Sequence, residues 1–206
     1  MIRLLCFLLA LVTSGPVMSS TTQEILDQLL TSYPERSSGR VVIVDIAAQQ
    51  LHLVVNNSVR QSYEISTSKY GIGSESGSNK TPLGAHYVKR RYGEDAPPMT
   101  IFKGRKNTGE VAAVENEARA TGDDFVTTRI LWLKGLEKGK NTGEGVDSYQ
   151  RYIYIHGTHE EGLIGQPASH GCIRMRNSDV IELFGQTPAG SLVYIAEELT
   201  NGSLGS

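Results

Sequence analysis

The sequence is poor in cysteine: two in 206 residues, Cys6 and Cys172, of which only Cys172 stands outside the first nineteen, so the remainder of the chain cannot close a disulfide of its own. It lacks a long hydrophobic run. The longest lies within residues 4–12, well short of the roughly 20 apolar residues a membrane-spanning helix needs, so no stable membrane insertion is expected. It also lacks a block of unopposed positive charge: 20 basic residues face 22 acidic ones, and the formal net charge is −2. Neither nucleic acid nor an acidic membrane surface is therefore indicated as a partner. What the chain does have is 39% hydrophobic residues, 20% charged residues and 22 glycines. That composition excludes a disordered protein and predicts one core with loop-rich connections.

Residues 1–19 predict a secretory signal peptide: Arg3, the apolar stretch 4–12, then Val17-Met18-Ser19 as a small-residue end. The chain is thus expected to be exported to the periplasm or cell envelope. Cys6 follows Leu5, without the small residue a lipoprotein signal would place there, so a lipid anchor is not expected. Removing this segment takes Arg3 and no acid, leaving 19 basic and 22 acidic groups, net −3. Cys172 then stands alone. In an oxidising compartment such a residue is buried and inert, bridged to another molecule, or a reactive thiol.

Beyond the leader, residues 20–38 read as a short helix and linker. Thr21-Thr22-Gln23-Glu24 resembles a capping box, Ile25, Leu26, Leu29 and Leu30 share one helical face, and Tyr33-Pro34 ends it. Strands are predicted at 41–46, 51–55 and 59–66, joined by short turns into an antiparallel meander. A Gly/Ser-rich loop follows at 70–80, and Thr81-Pro82-Leu83-Gly84 reads as a turn into a strand at 85–90. Further strands are predicted at 129–134, 151–156 and 192–196, with a helix at 179–184 capped by Ser178. The stretch 92–141 is the least regular, an excursion of the kind that often walls a site. The chain is therefore expected to be mainly β, a single domain over 39–198 with a few short helices and a tail at 199–206.

The chemistry concentrates between residues 151 and 177. Three of the five histidines lie there with Cys172, in Ile155-His156-Gly157-Thr158-His159 and Ser169-His170-Gly171-Cys172-Ile173-Arg174-Met175. A thiol becomes an effective nucleophile when an imidazole takes its proton, so a cysteine and a histidine that meet in space suffice for acyl transfer. His156 ends a predicted strand, where a side chain can emerge beside a site. His170 stands as an equally placed base, or as a group that merely bonds a backbone carbonyl. The amides of Gly171 and Cys172 are candidates for an oxyanion hole. Arg174 lies on the face of Cys172 if the segment is extended, placed to bind a carboxylate or to brace the loop. His159, beside Glu160 and Glu161, reads as solvent-facing, and Met175 as core. The His/Cys spacings match no usual zinc pattern, and no cofactor is called for.

The block from Ile155 to Met175 resembles the signature of the L,D-transpeptidase family with a YkuD-like catalytic domain. Val41 to Asp45, the run Gln50-Leu51-His52-Leu53 and the Thr81-Pro82 turn resemble that family as well, so the likeness covers about residues 40–196. It implies a β-sandwich-like envelope domain acting on peptidoglycan stem peptides. It makes Cys172 the nucleophile and His156 the proton donor and acceptor, with Gly157, Ser169, His170, Gly171 and Arg174 shaping the oxyanion and substrate-binding parts. The acyl acceptor is left open among a second stem, an envelope protein, a D-amino acid and water. Two other readings stand beside it: a hydrolase trimming stems, and a non-catalytic wall-binding protein with an inert Cys172.

Overall fold

The computed structural model describes residues 20–36 and 39–199. The expected leader at 1–19 lies outside the described residues, as does the expected tail apart from Leu199. In chain order the elements are α1 (Ser20–Ser32), a 3-10 turn (Pro34–Arg36), β1 (Arg40–Asp45), β2 (Gln50–Val55), β3 (Ser58–Ser66), β4 (Gly84–Tyr92), β5 (Thr100–Lys103) and β6 (Lys106–Val111). Then come β7 (Val126–Gly135), β8 (Tyr154–Gly157), a second 3-10 turn (Glu161–Leu163), β9 (Ile173–Met175), α2 (Asn177–Gln186) and β10 (Leu192–Ala196).

The expected meander forms: β1 pairs antiparallel with β2, and β2 with β3. Asn56 and Asn57 both hold positive φ, 49° and 63°, as the two central residues of a tight hairpin must. Neighbouring strands run β4-β10-β1-β2-β3-β9-β8-β7, and β7 pairs again with β4, so the sheet closes on itself, with the β5–β6 hairpin attached to β7. The expected sandwich is thus one sheet folded back on itself. Two pairings are parallel, β1 with β10 and β8 with β9.

Alternation along the strands divides side chains between the inside of this ring and its outer face. Ile155, Ile173 and Met175 point inward with Leu51, Leu53, Leu131, Leu133 and Val193, joined by Val180, Leu183 and Phe184 of α2. Outside β1 and β10, Leu26 and Leu29 of α1 cover Val41, Ile43 and Leu192, the helical face read from the sequence. Outside β7 and β8, Ile130, Trp132 and Tyr154 pack with Phe102, and Cys172 lies against this cluster. The site therefore stands on the outer face of β7–β8–β9.

Several boundaries differ from those expected. Strand β8 begins at Tyr154 rather than 151, because Asp147 and Tyr149 carbonyls accept from the Arg151 and Tyr152 amides and fold 147–152 into turns. Helix α1 already begins at Ser20. Ser178 lies inside α2 and its hydroxyl donates to Asp179 Oδ1, so it is no cap. The 92–141 excursion is not irregular throughout, since it carries the β5–β6 hairpin and the whole of β7. Among the described residues no helix is long and apolar enough to cross a membrane.

One polar knot fixes where β8 ends. Asn177 Nδ2 donates to Thr158 O and to Glu161 Oε1, both at 2.6 Å, while Asn177 Oδ1 accepts from Thr127 Oγ1 at 2.7 Å and from Thr128 Oγ1. Thr128 sits at the β7 bulge with φ 65°, unusual for a β-branched residue and held by these bonds. A Cβ on Gly157 would stand 2.6 Å from Asn177 Oδ1 and 2.9 Å from Thr127 O. Gly157 is thus required by close packing. Gly157→Ala is expected to destabilise the fold by about 1–3 kcal/mol, as overpacked sites do. Urea unfolding checks this, and an unchanged midpoint would show that the knot yields without cost.

Candidate active site

The parallel β8–β9 register pairs His156 with Arg174, which makes Cys172, one residue ahead of β9, a diagonal neighbour of His156 on the outer face. Cys172 is partly buried. Its sulfur accepts from the Tyr154 N–H at 3.4 Å, and its thiol donates to Tyr152 O at 3.3 Å. Burial pushes the thiol up to about 12, with Asp124 adding to the rise against the opposing pull of the Tyr154 amide, Arg174 and Arg151. The resting sulfur is therefore a protonated thiol.

His156 is 1% exposed. Burial lowers its pKa to about 4, although Asp124 and the Gly157 carbonyl favour its charged form. The ring is therefore neutral at ordinary pH. Its Nδ1 lies 2.8 Å from Gly157 O, and since a carbonyl only accepts, Nδ1 carries the hydrogen and Nε2 the lone pair. A backbone carbonyl thus orients the imidazole where a triad would place a carboxylate.

The segment leading into Cys172 is closed by Ser169 and Thr81. Ser169 Oγ donates to Cys172 O at 2.6 Å and accepts from Gly171 N at 3.2 Å. The Gly171 amide is thus already engaged, and of the two amides considered for an oxyanion hole, that of Cys172 is the remaining candidate. Gly171 holds φ 118°, and a Cβ there would stand 3.2 Å from Lys80 O. Thr81 is more than a turn residue: it is fully buried and its hydroxyl donates to Gly171 O at 3.2 Å. Arg151 joins the same wall, donating to Lys80 O at 2.6 Å and Gly73 O at 3.2 Å.

Arg174 shares the outer face with His156 and Cys172, yet it is 1% exposed. Its Nη1 binds Glu160 Oε2 at 2.8 Å and its Nη2 binds Asp124 Oδ1 at 2.5 Å. Both ends of the fork are occupied by the protein's own carboxylates, which favours the bracing role over substrate binding; Nε is buried without a partner. Glu160 also accepts from Thr121 N at 2.6 Å. Burial opposes its charge, but the Thr121 bonds and Arg174 hold its carboxyl below the usual range. For Asp124 burial likewise opposes charge, and Arg174, His156 and His170 outweigh it. His170 is exposed and its Nδ1 meets Asp124 Oδ2 at 2.6 Å, so it is tethered at the rim. His159 is buried instead of solvent-facing, because the excursion covers it: the Phe125 ring packs against it, tilted, with centres 4.7 Å apart, and Thr121 Oγ1 lies 2.8 Å from Nε2. Asp124, Glu160 and Thr121 escaped sequence reading; Asp124 and Thr121 lie in the irregular stretch and Glu160 beside charges that read as surface. Among the described residues no group of three or more His, Cys, Asp and Glu is placed to hold a metal ion.

Removing the guanidinium strands a buried carboxylate. Arg174→Met is expected to lose about 3–5 kcal/mol, the usual result of breaking a buried pair from one side, with Arg174→Lys intermediate. Because the folded carboxyls titrate below their ordinary values of 4.5 for Glu160 and 3.8 for Asp124, the wild-type advantage is full above those values. It fades as pH falls through the lower folded ones. Urea titrations of both proteins across that range check it; a pH-independent difference would show that packing, not the ion pairs, is lost.

The family model describing the L,D-transpeptidase catalytic domain, YkuD, matches residues 39–195. YkuD of Bacillus subtilis (strain 168), an L,D-transpeptidase by name, is 28% identical over 154 residues, covering 75% of this chain and 64% of that protein. The match thus spans somewhat less than two thirds of that relative. YbiS of Escherichia coli (strain K12), also an L,D-transpeptidase by name, is 44% identical over 48 residues, 23% of this chain and 16% of its own. Among solved structures, an L,D-transpeptidase from Mycobacterium smegmatis aligns over 77% of this chain and 58% of that one, at 15% identity and a TM-score of 0.46. The family match runs from β1 to β10 and takes in every strand that builds the site, so the chain belongs to the L,D-transpeptidase family.

Proposed function

We propose that the protein is an envelope L,D-transpeptidase in which Cys172 is the nucleophile and His156 the base. The observation that carries this reading is the Nδ1–H bond from His156 to the Gly157 carbonyl. It leaves Nε2 as a lone pair on the face that bears the Cys172 thiol. The thiol turns from Tyr152 O toward His156, which takes its proton as Sγ attacks the carbonyl of the third residue of a tetrapeptide stem. The S–C bond forms, the C–N bond to the terminal D-alanine breaks, and the imidazolium gives its proton to the departing amine. An acceptor amine then attacks the thioester; His156 takes its proton and returns one to sulfur as the C–S bond breaks. The Cys172 amide faces the developing oxyanion. The acceptor is the side-chain amine of a second stem, giving cross-links between third residues, with an envelope protein or a free D-amino acid as alternative amines.

Purified protein incubated with disaccharide tetrapeptides is expected to give dimers lighter by one D-alanine. Water as acceptor would give tripeptide only, and mark a carboxypeptidase. Cys172→Ala should abolish both products while keeping the fold, and His156→Ala should lower the rate by about two to four orders of magnitude. A carbapenem should add one drug mass to the wild type and none to Cys172→Ala. Cross-linking by Cys172→Ala would sink the covalent mechanism.

The resting protonation states have their own signature. With burial pushing the thiol up to about 12 and His156 down to about 4, the neutral thiol and imidazole are favoured over a thiolate–imidazolium pair near neutrality. Alkylation of Cys172 by iodoacetamide is expected to climb steadily from about pH 6 to about pH 10 without a plateau, following the scarce thiolate. A plateau between about pH 6 and about pH 8 would show a preformed ion pair and overturn the neutral resting state.

A further inference from the structure

The hairpin of the excursion sets a cation, which the mechanism does not use, on the side chains of the two tyrosines whose backbones meet the Cys172 sulfur. Gly104 and Arg105 form the β5–β6 turn with φ 55° and 68°, the pair of positive values a two-residue hairpin needs. Arginine is seldom found in that region. The turn sends its side chain back over the outer face: Cζ lies 4.5 Å from the Trp132 ring centre and 5.1 Å from that of Tyr152. Nη1 donates to Tyr154 Oη at 3.0 Å. Trp132 is itself stacked on Tyr149 at 3.8 Å, while Lys134, 5.7 Å from the Tyr149 ring, is matched by Asp147 Oδ2 at 3.9 Å and adds no free charge. The result is an aromatic floor topped by positive charge, in a chain whose net charge is negative.

Two features separate Arg105 from the other arginines of the site. Arg174 binds two carboxylates and Arg151 three oxygens of the 73–80 loop. Among the described residues Arg105 meets no carboxylate, and the groups that favour its charge are all tyrosines. Its position is the second feature. Tyr152 and Tyr154, which carry the guanidinium on their side chains, are the residues whose backbones hold the Cys172 sulfur. The fork and the sulfur therefore meet opposite ends of one residue, Tyr154 Oη for the fork and the Tyr154 N–H for Sγ.

We propose that Arg105 is a specificity-determining residue that receives a carboxylate of the acyl-donor peptide beside Cys172. Guanidinium stacked on aromatic rings is prepositioned, and its remaining N–H groups match a carboxylate edge-on. A tetrapeptide stem bound for attack presents two such groups near the scissile bond: the terminal carboxylate of the leaving residue, and the free side-chain carboxylate where the third residue is a diamino diacid. The assignment rests on the transpeptidase reading for its substrate, but not for its charge.

The test uses full-length wild type, Arg105→Gln and Arg105→Lys with three stems: unmodified, amidated at the terminal carboxylate, and amidated at the third-residue carboxylate. Arg105→Gln should raise KM for the unmodified stem about ten-fold, the loss of one charge-assisted contact, with kcat little changed and partial recovery in Arg105→Lys. The stem lacking the recognised carboxylate should show the same defect in wild type and no further loss in Arg105→Gln, which identifies the source. A second readout needs no stem peptide: the ratio of Cys172 alkylation by iodoacetate to that by iodoacetamide should fall about three-fold in Arg105→Gln, since only the former carries a carboxylate and both sense the same thiol. A reduced ratio without turnover of any stem leaves the carboxylate site standing and refutes the transpeptidase reading. Equal KM losses on all three stems, or an unchanged ratio, overturns the proposal.

Discussion

The outer face of the β8–β9 ladder holds together around one guanidinium. Arg174 is buried on a three-residue strand, and its fork ties Glu160, in the segment after β8, to Asp124, in the segment before β7. A charge in that position is costly unless both ends are matched. Each partner is in turn fixed: Glu160 by Thr121, and Asp124 by His170 at the rim. The same contacts hold the 112–125 segment over His156 and His159, with the Glu115 amide donating to His159 O at 2.8 Å. The wall of the site, the burial of the imidazole and the position of His170 all follow from this pair of ion pairs.

Burial sets the protonation chemistry. An exposed Cys–His pair can rest as thiolate and imidazolium, but on this face desolvation favours both neutral forms, and Asp124 weighs further against a thiolate. Backbone groups take over the orienting roles. The Gly157 carbonyl selects the imidazole tautomer, the Tyr152 carbonyl parks the thiol, and the Tyr154 amide touches the sulfur. Fixed dipoles of this kind cost no reorganisation when a charge develops beside them.

The closed sheet explains why the site needs an excursion at all. Its interior is lined by Ile155, Ile173, Met175 and the apolar face of α2, an apolar core with no place for charged or nucleophilic side chains. Tyr154, His156, Cys172 and Arg174 must use the outer face, where water would surround them. The β5–β6 hairpin and the 112–125 segment exclude that water on one side, and the 73–80 loop, bound through Thr81 and Arg151, borders the cysteine on the other.

Local pattern was enough to read much of this. Alternating strands, the Asn56-Asn57 hairpin, the apolar face of α1 and the inward Met175 follow from periodicities and turn chemistry that act over a few residues. That His156 and Cys172 fall on one face of neighbouring strands was legible because both lie within one short block of glycines and extended runs. Partners that join distant segments were not. Arg174 with Asp124, Thr81 with Gly171, His159 beneath Phe125 and Arg105 above Trp132 are separated by dozens of residues. Glu160 looks like a surface acid because sequence shows charge and not what covers it. The order and spacing of residues set which side chains could do chemistry; closure of β4 onto β7 and the fold of the excursion decided which of them are buried, since burial belongs to segments that meet only in space.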